Sequence, residues 1–150
     1  MAIRIYLDTS VLSAYCDDRV PERRSATEEF WQRRKEFELA TSEVARDELM
    51  RVRNQTLKEE FAGLLAELKI HLVTEEMRIL ADRYVDSAVF GPASFNDALH
   101  VAAAVITRQD ILLSWNFRHL VNRRRRAAVN QINVSAGLPA IEILAPPELG

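Results

Sequence analysis

The chain has 150 residues, of which 48% are apolar and 28% charged, and its net charge is −2. These values predict one folded domain over residues 1–150 and exclude both a disordered chain and a general polycation. No apolar run approaches the roughly 18 residues that a membrane span needs. A single cysteine, Cys16, excludes an internal disulfide, and residues 1–8 lack the features of a signal peptide, so we expect a cytoplasmic setting.

Hydrophobic periodicity predicts strands that alternate with helices. In chain order, the predicted elements are a strand at residues 3–7, a helix beginning at 11–16, a helix at 22–37, a strand at 38–41, helices at 43 to about 53 and 57–68, a strand at 70–73, helices at 75 to about 89 and 95–107, and strands at 111–114 and 141–144. Ser42, Thr74 and Ser94 stand at helix starts and are the expected N-caps. The alternation predicts an α/β fold with a mostly parallel sheet.

Polar residues follow several of the predicted strands. Asp8 follows the first strand, and Ser42 follows the second, with Glu48 in the next helix. Asn116 comes shortly after the fourth strand, and Asp97 lies in the first turn of a helix, where the helix dipole favours a carboxylate. Because sites in open parallel sheets lie beyond the carboxyl ends of the strands, we expect these side chains to converge.

A convergence of carboxylates predicts a metal centre, because like charges repel unless a cation neutralises them. Oxygen ligands without sulfur favour Mg²⁺ or Mn²⁺. Such an ion suits the attack of water on a phosphodiester, since it stabilises charge on the phosphate oxygens. The residues therefore predict metal-dependent phosphodiester hydrolysis.

Each of these residues also has an ordinary structural explanation. Asp8 fits a turn, and Asp97 fits a helix N-terminal charge. Glu48 lies on an apolar helical stripe and could form a salt bridge with one of the many arginines. Asn116 could cap a turn before Phe117. Their joint placement, more than any one residue, favours a site.

Four segments resemble the motifs of PIN-domain nucleases, in family order and at family spacing. They are residues 5–10 (IYLDTS), 41–49 (TSEVARDEL), 96–104 (NDALHVAAA) and 111–117 (ILLSWNF). The first has an acidic residue after an apolar strand, and the second has a Ser followed six residues later by Glu-Leu. The third has an Asp that leads an Ala-rich helix. The fourth, with its Ser-Trp-Asn-Phe run, is similar to a subgroup of bacterial PIN proteins.

This resemblance implies a PIN-like three-layer α/β/α fold with a central sheet flanked by helices. It implies a Mg²⁺- or Mn²⁺-dependent ribonuclease like the VapC-type toxins of bacterial toxin–antitoxin pairs. Its partners would be an RNA substrate, a small antitoxin and a second copy of the chain. The implied metal ligands and catalytic residues are Asp8, Glu48, Asp97 and Asn116. The side chains expected to support them by hydrogen bonds are Thr9, Ser42, Ser114 and His100.

Asn116 departs from the family pattern, which has an acidic residue at this position. An amide oxygen can ligate a hard cation, but it brings no charge and cannot act as a base. One alternative is therefore a PIN module that binds RNA or a protein partner without turnover. A receiver-like phosphoacceptor domain is another, although the segment after Ser114 offers arginines and no lysine.

Two further features concern the surroundings of the acidic centre. Arg123, Arg124, Arg125 and Arg126 form the densest basic run and are the expected contacts to the RNA backbone. A solvated helical face is the plainer interpretation of such a run. His100 lies three positions after Asp97, so we expect the two to share a helix face and to form a hydrogen bond.

Overall fold

A computed structural model describes residues 2–150 and contains one five-stranded sheet. The strands are β1 (Ile3–Leu7), β2 (Phe37–Ser42), β3 (Lys69–His71), β4 (Ile111–Leu113) and β5 (Glu142–Leu144). Their order across the sheet is β3-β2-β1-β4-β5, and every neighbouring pair is parallel. The predicted parallel α/β architecture is confirmed.

Seven helices flank this sheet in α/β/α layers. They are α1 (Thr9–Tyr15), α2 (Pro21–Gln32), α3 (Glu43–Leu49), α4 (Gln55–Leu65), α5 (Glu75–Asp86), α6 (Phe95–Ile106) and α7 (Arg123–Ser135). Short 3₁₀ turns occur at Arg34–Glu36, Pro92–Ser94 and Pro146–Leu149. None of the helices within residues 2–150 has the length and apolarity needed to cross a membrane.

The central strand β1 fixes the position of the first acidic residue. Ile5, Tyr6 and Leu7 are fully buried, because β1 pairs with β2 on one side and with β4 on the other. The last β1 residue pairs with Leu113, and the backbone N–H of Asp8 continues the ladder by donating to the Leu113 carbonyl at 3.2 Å. Asp8 therefore leaves the sheet at the carboxyl edge of its middle strand.

Helix α6 is the most buried helix, with every residue from Ala98 to Val105 inaccessible to solvent or nearly so. A helix that is apolar around most of its circumference is stable only when neighbours cover it on all sides. Its three consecutive alanines leave room for close packing against those neighbours. This packing holds the first turns of α6, which carry Asp97 and His100, in a fixed position.

Helices α2 and α3 end furthest before the residues that their apolar patterns predicted. The helix expected to reach Phe37 stops at Gln32, because Phe37 has an extended backbone and pairs with Ile3 as the first residue of β2. The helix expected to reach Arg53 stops at Leu49. Asn54 explains this end, since its extended backbone lets its side chain accept from the Leu57 N–H at 3.0 Å and cap α4.

Two other expectations also require correction. Ser94 precedes α6 but makes no capping hydrogen bond, because it ends a 3₁₀ turn and lacks the extended backbone of an N-cap. Helix α7 was not predicted. Asn122 caps it at the Arg125 N–H, and its buried face includes Asn133, which accepts a hydrogen bond from Tyr84. A buried polar residue interrupts the apolar stripe that marks a helix in a sequence.

Candidate functional site

Asp8 begins the site as the N-cap of α1. One of its carboxylate oxygens, Oδ1, accepts from the backbone N–H of Ser10 at 3.0 Å and from the Ser10 hydroxyl. The other oxygen, Oδ2, accepts from the Ser114 hydroxyl at 2.7 Å. Ser114 follows β4, so residues after two adjacent strands together orient this carboxylate.

Burial raises the pKa of the Asp8 carboxyl above its ordinary value, because a buried charge loses its hydration. His100 and the hydrogen bonds from Ser10 and Ser114 act in the opposite direction but do not outweigh burial. A nearby cation would favour the ionised form. Burial therefore favours the neutral acid, and a bound cation would counteract this effect.

Glu48 is held by His100 across the interface between α3 and α6. His100 is 2% exposed, and its Nε2 atom lies 2.9 Å from Oε1 of Glu48. The Thr9 hydroxyl lies 3.3 Å from the same ring nitrogen. The expected hydrogen bond between His100 and Asp97 is wrong, because both ring nitrogens have other partners.

The second ring nitrogen of His100 contacts a residue of the central strand β1. Its Nδ1 atom lies 2.7 Å from the hydroxyl of Tyr6, and that hydroxyl lies 2.7 Å from the hydroxyl of Ser42. Ser42 in turn caps α3 by accepting from the Val44 N–H at 3.3 Å. A continuous chain of hydrogen bonds thus fixes the His100 ring, and through it the side chain of Glu48.

The pKa of Glu48 shows that this support outweighs desolvation. Burial acts to raise it, but the hydrogen bond and charge interaction with His100, assisted by Thr9 and Arg51, lower the pKa below its ordinary value. The pKa of Tyr6 is raised, mainly by burial. Glu48 is therefore ionised at neutral pH, while the Tyr6 hydroxyl remains a neutral hydrogen-bonding group.

Asp97 projects from the first turn of α6 and is partly buried. Burial raises its pKa most, His100 and His119 lower it, and the negative charges of Asp8 and Glu48 raise it further. The structure therefore brings Asp8, Glu48 and Asp97 close enough for their charges to interact. Within residues 2–150, the causes that shift the pKa of Asp97 are burial and charge interactions, with no hydrogen bond among them.

Asn116 lies beside this group but uses its side chain to form a turn. Its Oδ1 atom accepts from the backbone N–H of His119 at 2.9 Å, and its own N–H donates to the Ser114 hydroxyl at 2.9 Å. This contact is the turn-capping role that the sequence allowed. It leaves the second lone pair of the amide oxygen available.

The donor set suits a hard divalent cation, although the side chains are not closed around one position. Within residues 2–150, no three His, Cys, Asp or Glu side chains are arranged so that they could hold an ion as they stand. The observation that fits a cation is the electrostatic interaction among three carboxylates of which two have raised pKa values. All the available ligand atoms are oxygens, which Mg²⁺ and Mn²⁺ prefer.

The four consecutive arginines open α7 and have different environments. Arg125 stacks on the Phe90 ring, with its guanidinium carbon 4.7 Å from the ring centroid, and Arg126 pairs with Glu148 at 3.0 Å. Arg123 and Arg124 are exposed and form no ion pair within the described part of the chain. The charge of Asp97 acts on Arg125, so the basic run lies near the acidic centre.

Tyr6 and Ser10 are the supporting residues that sequence reasoning missed. Tyr6 lies within a buried strand, where an aromatic residue is expected as packing, and only its contact with His100 reveals another role. Ser10 could have been found, because a serine two residues after a strand-end aspartate fits a capping turn.

Comparison with known proteins identifies a matching family and solved structures with a similar fold. A family model for the PIN domain matches residues 5–130 of this chain. No curated protein sequence matches this chain significantly.

Several solved structures are similar over nearly the whole chain. VapBC-1 from nontypeable Haemophilus influenzae is 12% identical, with 97% of this chain and 99% of that chain covered and a TM-score of 0.65. DNA-bound VapBC from Salmonella typhimurium is 14% identical, with coverages of 96% and 98% and a TM-score of 0.63. VapC20 from Mycobacterium tuberculosis, a Sarcin-Ricin loop cleaving toxin, is 15% identical, with coverages of 91% and 98% and a TM-score of 0.59. These similarities establish the shared fold.

Proposed function

Since this chain belongs to the PIN-domain family, we propose that it is a divalent-metal-dependent ribonuclease and the toxin of a toxin–antitoxin pair. The observation that carries the proposal is the mutual interaction of Asp8, Glu48 and Asp97, which come from three separate segments. Their proximity costs electrostatic energy, and a function that needs a cation explains that cost.

Asp8, Glu48 and Asp97 would hold the ion in this proposal, with Asn116 as a weaker, neutral ligand. A bound Mg²⁺ or Mn²⁺ supplies an activated water and stabilises negative charge on the phosphate. The chain itself orients the ligands: Ser114 donates to Asp8 at 2.7 Å, and His100 lies 2.9 Å from Glu48. Such supporting contacts typically change metal affinity or activity by about 10–100-fold when removed.

The toxin assignment rests on the similar folds. The structures compared above include VapBC complexes from Haemophilus influenzae and Salmonella typhimurium. We extend that arrangement to this chain, with a small antitoxin as its inhibitor, a homodimer as its assembly and the cytoplasm as its location. An antitoxin encoded by the neighbouring open reading frame would support the assignment if it formed a stoichiometric complex with this chain and inhibited cleavage.

The direct test is cleavage of single-stranded RNA by the purified chain. Mn²⁺ or Mg²⁺ should support cleavage and EDTA should abolish it, while Asp8→Asn should reduce the rate by at least about 100-fold. Asp82→Asn is the matched control, because Asp82 is an exposed residue of α5. Equal activities of the Asp8 variant and the wild type would refute the proposed centre.

A second candidate function follows from the contact between Asn116 and His119. If the amide serves only that turn, the centre has three ligands, and the protein would bind RNA or a partner without turnover. Metal-dependent RNA binding with no cleavage at any metal concentration would favour this candidate. Cleavage that depends on Asp8 would exclude it.

A further inference from the structure

A cavity of about 610 Å³ lies next to the acidic centre. It is lined by residues of α1, of α2 and of the loop between these helices, and by the segment after β4. This volume is within the range of about 300–1,000 Å³ that is usual for small-molecule sites. Ser10 and Asn116 are among its lining residues, and the Ser10 hydroxyl donates a hydrogen bond to Asp8, so the cavity lies close to that carboxylate.

One wall of the cavity combines two aromatic rings with a guanidinium group. The guanidinium carbon of Arg23 lies 5.4 Å from the Phe117 ring centroid and 5.5 Å from that of Trp115. Trp115 is buried and donates its indole N–H to Thr27 at 2.9 Å, which fixes the ring. Phe117 packs edge-to-face on Trp115 but is 46% exposed.

The exposed ring of Phe117 is not explained by packing in the core. It is one of the few large apolar side chains on the surface, and it lies against an arginine that forms no ion pair within residues 2–150. Asp17 also lines the cavity, but its carboxylate is paired with Arg19 at 2.9 Å. The remaining charges at the wall, Arg23 and Arg118, are positive.

A basic surface continues beyond the cavity. Arg118 lines both this cavity and a neighbouring one of about 350 Å³, which is also lined by Arg124 and Arg125 at the start of α7. An aromatic wall followed by a row of guanidinium groups is suited to a chain that alternates flat rings with phosphates. Single-stranded RNA has this chemistry, and its unpaired bases stack on aromatic rings and on arginine planes.

We propose that this cavity receives an unpaired RNA base adjacent to the phosphate at the acidic centre. Phe117 and Arg23 form the stacking wall, and Arg118 contacts the following phosphate. This proposal deepens the ribonuclease function and rests on it for the direction of the strand. Phe117 is then a specificity-determining residue that acts in addition to the acidic ligands.

Binding in EDTA tests the cavity separately from catalysis. The probes are fluorescently labelled octauridylate, octaadenylate and an octamer of ribose phosphate that carries no bases, measured by anisotropy. The wild type should bind at least one base-bearing octamer roughly 5- to 150-fold more tightly than the abasic one, as expected for a stacked base. Phe117→Ala should remove most of this preference and leave the affinity for the abasic octamer unchanged.

Two further variants make the test selective. Arg23→Gln changes an exposed residue and should also reduce the preference, which covers the case that Phe117→Ala does not fold. Val134→Ala removes an apolar side chain of similar exposure near the far end of α7 and should have no effect. Unchanged preference in the Phe117 and Arg23 variants would overturn the proposal. If the wild type shows the base preference but does not cleave RNA with Mn²⁺ or Mg²⁺, the nuclease function is overturned and the base site is retained.

Discussion

Asn116 combines a neutral side chain with a position next to Ser114, the residue that donates to Asp8. Its Oδ1 atom accepts one hydrogen bond, from His119, at 2.9 Å. A carboxylate at this position could keep that bond with one oxygen and offer the other to a cation. The substitution Asn116→Asp therefore distinguishes the role of this residue in the turn from a role as a metal ligand.

We expect Asn116→Asp to tighten Mn²⁺ binding and to increase nuclease activity. The added charge strengthens attraction to the ion, while repulsion among four carboxylates lowers the stability of the metal-free protein. Calorimetric titration of both proteins with Mn²⁺ measures the change in affinity. Unchanged or weaker binding in the variant would show that Asn116 only caps its turn.

Asp97 gives a prediction about pH and stability. Burial and, to a smaller extent, the charges of Asp8 and Glu48 raise its pKa in the folded protein. The folded state therefore holds a proton more strongly than the unfolded chain does, so stability falls as pH rises from the ordinary aspartate pKa through the raised one. At neutral pH the ionised side chain destabilises the metal-free protein.

Asp97→Asn should consequently raise the melting temperature in metal-free buffer at neutral pH. A gain on the order of 1 kcal/mol corresponds to about 2–4 °C in a chain of this size. The gain should disappear as the pH falls below the ordinary aspartate pKa, and stabilisation by Mg²⁺ should be lost. Thermal melts between about pH 3 and 8, with Asp82→Asn as the control, would contradict the assignment if the two variants behaved alike.

At the scale of elements, the hydrogen-bond chain from β2 through β1 to α6 and α3 joins the sheet to the acidic centre. Tyr6 is its middle member, with contacts of 2.7 Å to both Ser42 and His100. The protein has a second fully buried tyrosine, Tyr84, which lies outside this hydrogen-bond chain. Its hydroxyl donates to Asn133, away from the site. The two tyrosines form a natural comparison.

Tyr6→Phe and Tyr84→Phe should each reduce stability by about 1–3 kcal/mol, because each leaves a buried polar partner unsatisfied. Only Tyr6→Phe should also reduce kcat for RNA cleavage, since it releases the ring that orients Glu48. Denaturant unfolding measures the first effect and cleavage kinetics the second. Equal activities of the two variants would mean that the chain supports the fold and not the carboxylate.

The alternation of strands and helices, and with it the parallel sheet, could be predicted from the sequence because hydrophobic periodicity is a local property. Helix ends were less predictable: α3 ends at Leu49 because Asn54 caps the next helix, which an apolar stripe does not show. Asp8 was proposed as a site residue because it follows a strand, and Glu48 and Asp97 because of their places in helices. The hydrogen bond between His100 and Glu48 was not predicted, because it depends on how α3 packs against α6.

At the scale of the whole molecule, a net charge of −2 means that any attraction to RNA comes from a local patch. The exposed Arg123 and Arg124 at the start of α7 are the strongest part of that patch. Arg125 and Arg126 are partly occupied by Phe90 and Glu148. The expected contribution of the four arginines is therefore unequal.

The double variant Arg123→Gln/Arg124→Gln should weaken RNA binding and make it less sensitive to salt. Each lost phosphate contact lowers the slope of log K against log salt by about 0.7 for a single strand, so we expect a decrease of up to about 1.4. Arg108→Gln is the control, because Arg108 lies in the connection from α6 to β4, at the opposite edge of the sheet. An equal decrease in the control would show that the effect is not local.

The hydrogen bond between Ser114 and Asp8 joins residues 106 positions apart, and β4 must pair with β1 before it can form. During synthesis, Asp8 emerges from the ribosome long before the strand that completes its surroundings. A chain whose translation stops before β4 therefore carries Asp8, Glu48 and Asp97 without the support of Ser114, and without Phe117 or the arginines of α7. Premature termination upstream of β4 should thus yield fragments that do not cleave RNA, which ties the appearance of activity to the late stage of translation.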